Sequence, residues 1–211
     1  MELSILNQAG AKTGKKIKLN DAVFGIEPND HAIYLDVKQY LANNRQGTAK
    51  AKQRSENAHS TRKLGRQKGG GGARPGDFKS PVRVGGGTIF GPVPRDYSFK
   101  LNHKVKQLAR RSALSLRAKN EQIIVLDDLK FEAPKTKAMV EVLAKLNLTG
   151  RKVLVVLPAN NEEVLKSARN IERTNVTTVN ELNTYAIMNS NAVVMLADSV
   201  KAIEETLAKE A

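Results

Sequence analysis

The chain has 211 residues, 40% of them apolar, enough for one ordinary core and an insertion but not for two full domains. It has no cysteine, which excludes disulfides, thiolate metal sites and cysteine nucleophiles, and its formal net charge of +14 calls for a polyanionic partner, either nucleic acid or an anionic membrane surface. No stretch approaches the roughly 18 uninterrupted apolar residues of a membrane helix, and no basic segment leads into an apolar one at the N-terminus, so a soluble cytoplasmic protein is expected.

In chain order, Glu2 to Asn7 and Lys16 to Leu19 alternate enough to form short strands. Asp30 to Ala42 places Ala32, Ile33, Val37, Tyr40 and Leu41 at helical spacing behind an N-cap at Asn29 or Asp30. After the insertion, Asn102 to Lys119 forms a helix with the apolar stripe Val105, Leu108, Ala109, Ser112, Ala113 and Leu116. Lys104, Lys106, Arg110, Arg111 and Arg117 flank that stripe, so the helix faces a core and a phosphate backbone together. The C-terminal half alternates: strand Ile123 to Leu126, helix Thr136 to Leu146, strand Val153 to Leu157, helix Glu162 to Ile171, strand Val176 to Val179, a short helix near Leu182 to Met188, strand Ala192 to Leu196 and helix Val200 to Lys209. Runs such as Val153-Leu154-Val155-Val156 suit strands covered on both faces. The expected fold is α/β: a single three-layer domain, residues 1–44 and 101–211, with a mostly parallel central sheet and flanking helices, interrupted by a long extended basic loop over residues 45–100.

The charge is localised. Residues 1–42 hold 5 basic and 5 acidic side chains, 43–100 hold 13 and 3, 101–119 hold 6 and none, and 120–211 hold 11 and 13, so the whole excess lies between residues 43 and 119. The same block carries 11 of the 15 glycines, and between Arg45 and Asp77 its only large aliphatic is Leu64. Such a stretch buries too little apolar surface to offset the entropy of ordering, so it is expected to be disordered when free and ordered on its partner. Its cations are interleaved with Gly, Asn, Gln, Ser and Pro rather than clustered, which suits a path along successive phosphates better than a linker, a localisation signal or a membrane tether. Doubled back on itself, the loop has a reach of at most ~90 Å, which a surface binder does not need and a protein threaded into a large RNA does.

Catalytic and cofactor motifs are missing. Neither GxxxxGK[ST] nor a GxGxxG turn between strand and helix occurs; the runs Gly69 to Gly72 and Gly85 to Gly87 sit in the loop. Asp127-Asp128 follows a strand, where a Mg²⁺ site is conceivable, but adjacent acids there are more often turn formers. His31, His59 and His103 have no nucleophile or carboxylate at catalytic spacing and read as a helix-surface residue, a loop RNA contact and a helix-entry residue. No catalytic residue, metal or cofactor is expected.

Several segments resemble, in order, a known family. Arg45-Gln46-Gly47-Thr48 with Lys50, Lys52 and Arg54 resembles its loop entry, and Arg66-Gln67-Lys68-Gly69 with Ala73-Arg74 its RQKGTGRAR centre. Lys79-Ser80-Pro81, Gly85-Gly86-Gly87, Phe90-Gly91-Pro92 and Pro94-Arg95-Asp96-Tyr97 are similar to its return, followed by Lys104, Arg111-Ser112-Ala113-Leu114-Ser115 and Ala133-Pro134-Lys135-Thr136-Lys137. The family is that of the bacterial large-subunit ribosomal protein uL4. The resemblance implies a structural, non-enzymatic protein that binds 23S rRNA early in subunit assembly, one copy per ribosome, beside other large-subunit proteins and away from any membrane. It also implies a loop that reaches the peptide exit tunnel and meets the nascent peptide near a constriction. The cations expected on the rRNA are Arg45, Lys50, Lys52, Arg54, Arg62, Lys63, Arg66, Lys68, Arg74, Lys79, Arg83, Arg95, Lys104, Arg110 and Arg111, and the expected tunnel tip is Arg62, Lys63, Leu64, Gly65, Arg66, Gln67 and Lys68. Leu64-Gly65 stands where the family often has Pro and an aromatic, and Gly70 and Gly72 replace its Thr and Arg, which removes one base-stacking and one phosphate or base contact. Two other classes compete: an RNA-modifying or nucleotide-dependent enzyme on the same body, for which no pocket motif is present, and a standalone RNA chaperone, which a fixed RNA footprint would separate from a ribosomal protein.

Overall fold

In a computed structural model, which describes residues 1–131 and 133–208, six strands form one sheet. They are β1 (Glu2–Leu6), β2 (Lys12–Lys18), β3 (Ile123–Leu126), β4 (Val153–Leu157), β5 (Thr174–Thr178) and β6 (Ala192–Leu196), in the order β2-β1-β3-β6-β4-β5. Only β1 and β2 pair antiparallel; β1 with β3, β3 with β6, β6 with β4 and β4 with β5 are parallel. The helices are α1 (Asp21–Phe24), α2 (Asp30–Asn43), α3 (His103–Lys119), α4 (Thr136–Lys145), α5 (Glu162–Ala168), α6 (Thr184–Asn189) and α7 (Ala197–Ala208). The chain divides into two units, Met1–Leu41 with Lys100–Ala211, and Ala42–Phe99.

Strand alternation builds the first unit. All five residues of β4 and of β6 are buried, because successive side chains enter different cores. Leu154, Val156, Val193 and Met195 join a cluster with Ile33, Leu114, Ile187, Val200 and Ile203, from α2, α3, α6 and α7. Val153, Val155, Leu157, Ala192, Val194 and Leu196 join a second with Met139, Val142, Leu143 and Val164, from α4 and α5. The sheet is therefore the middle of three layers, an α/β fold. Each fully buried aliphatic contributes about 1.5–3 kcal/mol.

Several elements differ from the sequence reading. β2 starts at Lys12 rather than Lys16: Asn7 closes the preceding turn by accepting from Ala9 N and Ala11 N at 3.0 Å each, and the exposed lysines of an edge strand leave no apolar alternation to detect. The four-residue α1 is too short for periodicity; Asn20 caps it and it buries Val23 and Phe24. In α2, Tyr40 and Leu41 are exposed and Gln39 is buried, and the Tyr40 ring stacks on Tyr185 at 4.8 Å instead of entering the core. In α3 the buried face shifts to Gln107, Ala109, Ser112 to Ser115 and Ala118, leaving Val105, Leu108 and Leu116 half-buried. Small Ser side chains serve there because Ser115 Oγ donates to Val23 O at 3.1 Å and Ser112 Oγ accepts from Asn29 N at 3.1 Å. Helix α5 ends at Ala168, and β5 begins at Thr174, where pairing with Val153 outweighs the weak strand preference of Thr-Asn. Helix α7 starts at Ala197, directly after β6, with Ser199 Oγ donating to Val156 O at 2.9 Å; Lys209, in the expected helix, lies outside the described residues.

Candidate nucleic-acid interface

The second unit, residues 42–99, is two limbs tied together sparsely. Arg95 N donates to Gly47 O at 3.1 Å, Ala51 N to Pro92 O at 3.0 Å, Thr88 N to Lys52 O at 3.0 Å and Leu64 N to Gly76 O at 2.8 Å. The last pair makes residues 65–75 the apex. Beyond the last residues of α2, its regular structure is one 3-10 turn, Arg54–Glu56. At Gly47 the limbs cross so closely that a Cβ would lie 2.1 Å from Arg95 O and 2.9 Å from the Tyr97 ring, and φ is +64°, so only glycine fits.

The insertion's three carboxylates are all engaged within it. Asp77, buried, pairs with Arg54 at 3.0 Å. Glu56 pairs with Lys50, whose hydrogen bond holds the carboxyl below its ordinary range, helped by the Gln53 amide. Asp96 is held low by the hydroxyl and amide of Ser98. Arg45, Lys52, Arg62, Lys63, Arg66, Lys68, Arg74, Lys79, Arg83 and Arg95 consequently have no carboxylate partner among the described residues. Most are exposed; Lys79 and Arg83 are half-buried. Of the residues expected at the tip, Gly65, Arg66, Gln67 and Lys68 lie in the apex, while Arg62, Lys63 and Leu64 lie on the outgoing limb just before it. Lys63 Nζ donates to Gln67 Oε1, and Arg74 Nε to Gln67 O at 3.1 Å, so the two sides of the apex are cross-linked. Arg45 and Arg95 both lie over the Tyr97 ring, at 4.1 and 4.4 Å from its centroid, and the Arg95 hydrogen bond lowers the Tyr97 hydroxyl from its usual value.

In the first unit, Lys104 is exposed, and Arg110 and Arg111 are half-buried, with the Arg111 Nε buried and without a partner. Arg117 departs from the expected outward position. Its guanidinium turns to Ile187 O at 3.2 Å, Met188 O at 2.8 Å and Gln122 Oε1, so this cation holds α3 to the end of α6.

The recess at the carboxyl ends of β4 and β5 offers no cation to a phosphate. It has a volume of ≈ 520 Å³ and is lined by Pro158, Asn160, Thr177, Thr178 and Glu181 among others, with no Lys or Arg in its wall. Asp127 pairs with Lys15 at 3.2 Å, and Asp128 caps Leu129 N at 2.8 Å and pairs with Lys130 at 2.6 Å, the behaviour of turn residues. His31 lies against Tyr34, His59 against Phe78, and His103 opens α3.

One set of residues escaped the sequence reading. On the returning limb Val82, Val84, Ile89, Phe90 and Val93 are exposed large apolar side chains. The signal was present as apolar residues set singly or in pairs between Gly, Pro and Arg, a pattern that packs no core.

Known proteins resemble this chain along nearly its whole length. The model of the family described as "Ribosomal protein L4/L1 family" matches residues 17–206. The protein from Bacteroides fragilis called large ribosomal subunit protein uL4 is 59% identical over 98% of this chain and 100% of its own length. Proteins of the same name from Parabacteroides distasonis and Flavobacterium johnsoniae are 60% and 56% identical, over 97% and 99% of this chain and 98% and 100% of their own lengths. With a family match over residues 17–206, which takes in the basic helix α3 and the whole insertion, the chain belongs to the ribosomal protein L4/L1 family.

Proposed function

We propose that this chain binds 23S rRNA directly and early in assembly of the large ribosomal subunit, one copy per particle, and that its insertion forms part of the wall of the peptide exit tunnel, where it meets the nascent peptide. At the coarser level its family makes it a structural protein of the large subunit, cytoplasmic and not an enzyme. The carrying observation is the row of ten insertion cations that have no carboxylate partner among the described residues. A protein surface that leaves so many cations unpaired repels itself, and a polyanion relieves that repulsion while releasing counterions. Successive cations on both limbs match successive phosphates, and the apex of Gly, Arg, Gln and Lys offers many backbone donors at low steric cost.

The test is sedimentation of a lysate in moderate salt, with the protein quantified across the gradient and its RNA crosslinks mapped. Stoichiometric comigration with large-subunit particles and crosslinks from residues 45–95 to 23S rRNA near the tunnel support the proposal. Crosslinks confined to residues 100–211 would remove the tunnel assignment, and protein at the top of the gradient would remove the rRNA assignment.

A further inference from the structure

We infer that Phe90 is a base-stacking residue that takes an unpaired nucleotide of the bound RNA against its ring; this rests on the RNA-binding reading above and names one contact within it. Phe90 is 98% exposed, although a phenylalanine free to turn inward would cover itself. The backbone prevents that. Thr88 N to Lys52 O and Ala51 N to Pro92 O tie the returning limb to the outgoing one on either side of residue 90. Between those ties Gly91 presses on Ala51, where an added Cβ would lie 2.5 Å from the Ala51 Cβ. The limb is thus held flat against its partner under residue 90, and the ring is left facing outward.

The surroundings identify the occupant. Lys52, exposed and in no salt bridge among the described residues, lies directly across from Thr88, and Arg95, over the Tyr97 ring, stands five residues beyond Phe90. A π-face on a limb whose backbone partner is a lysine suits a nucleotide, whose base stacks while its phosphate meets the ammonium. The neighbouring apolar side chains do not make a protein-docking patch: Val82 and Val84 are 93% and 107% exposed, too open to pack on one another. Phe78 shows the contrast, since its ring already has Arg83 at 5.6 Å and His59 at 6.3 Å.

The chain contains no tryptophan, so Phe90→Trp installs a single fluorophore at the site without disturbing a buried position. Full-length protein carrying Phe90→Trp is titrated with transcribed 23S rRNA, and Phe90→Leu, which keeps the apolar bulk but loses the π-face, is compared with wild type by filter binding over a salt series. Stacking predicts strong quenching of the tryptophan at saturation. It also predicts a loss of about tenfold or more in affinity for Phe90→Leu with an unchanged salt slope, because no phosphate contact is removed. Wild-type affinity in Phe90→Leu with an unquenched tryptophan on bound RNA would overturn the inference and leave the RNA reading standing. Blue-shifted, unquenched emission in assembled subunits would overturn it in favour of a protein contact. Failure of the wild type to bind 23S rRNA at all would overturn both.

Discussion

Replacing Arg117 by methionine separates a cation that holds the fold from cations that hold RNA. The methionine retains the apolar stem and removes three donors, those to Ile187 O, Met188 O and Gln122 Oε1. Hydrogen bonds from a charged group contribute about 1.5–3 kcal/mol each, but they do not add here. Ile187 O keeps the Ser190 hydroxyl at 2.9 Å, and Gln122 is able to turn to water, so the principal loss is the donor to Met188 O together with the positive charge at the C-terminal end of α6. The guanidinium is also half-exposed, which discounts the charge further; burial pushes its pKa down. The expected cost is ~2–3 kcal/mol, and for a chain of this size a melting point lowered by about 4–12 °C. The assay pairs thermal unfolding by circular dichroism with 23S rRNA binding over a salt series at a temperature where both proteins are folded. Arg117→Met should lower the melt and leave the salt slope as in wild type. An unchanged melt, or a slope smaller by the 0.7–0.9 expected for one lost phosphate contact, would refute the reasoning.

The converse pair is Arg66→Gln with Lys68→Gln at the apex: the melt stays put and the salt slope falls by about 1.4–1.8, measured by filter binding. Gly47→Ala forces a Cβ within 2.1 Å of Arg95 O at φ +64°, so closure of the limbs is impaired; RNA affinity should fall about tenfold or more while the thermal melt of the sheet and its helices is unchanged. For Asp128, the hydrogen bond from Lys130, then that from the Leu129 amide, lowers the carboxyl below its ordinary 3.8, and the same partner raises Lys130 above its ordinary 10.5. A depressed acid contributes stability that is present above the unfolded value and lost as pH falls through the folded one, so this turn should loosen only below about pH 4. A carboxyl NMR titration should show a midpoint below 3.8 for Asp128 that returns toward that value in Lys130→Met.

What was legible depended on whether an element carries its own period. Strands β3, β4 and β6, apolar on both faces, stand at the expected residues, because runs that short and that rich in Val and Ile suit a doubly covered strand better than a helix. The edge strands were harder: β2 is mostly exposed lysine, and β5 begins at Thr174 because Val153 lies beside it, a fact of pairing and not of propensity. In α3 the stripe holds Ala109, Ser112 and Ala113, which the structure buries, but it also includes Val105, Leu108 and Leu116, which stay half-buried, and leaves out Ser115, whose hydroxyl finds its partner only once Val23 is in place. For the interface, charge identified the basic block but not its divisions. A row of letters does not distinguish Arg117, turned to carbonyls, from Arg66, which has no carboxylate partner among the described residues. Nor does it show that Phe90 faces outward, since that follows from two backbone ties and from the contact at Gly91.

The two units draw their order from different sources. The sheet and its helices bury two apolar clusters, each able to offset the conformational entropy of the residues that form it. The insertion has four limb-to-limb backbone bonds, one turn of 3-10 helix and two ion pairs. Few ties between the limbs and little buried apolar surface leave the backbone entropy of ordering, roughly 1–2 kcal/mol per residue, largely unopposed. The free insertion should therefore open, and the energy that closes it must come from the polyanion. Glycine-rich sequence and spaced cations then serve one end. Glycine keeps the close crossing at residue 47 accessible without strain, and cations spread along both limbs let each phosphate contact order a few more residues instead of competing for one site. On this account a substitution in the insertion registers in RNA affinity and not in the melt, because the unfolded reference for that segment is already the free protein.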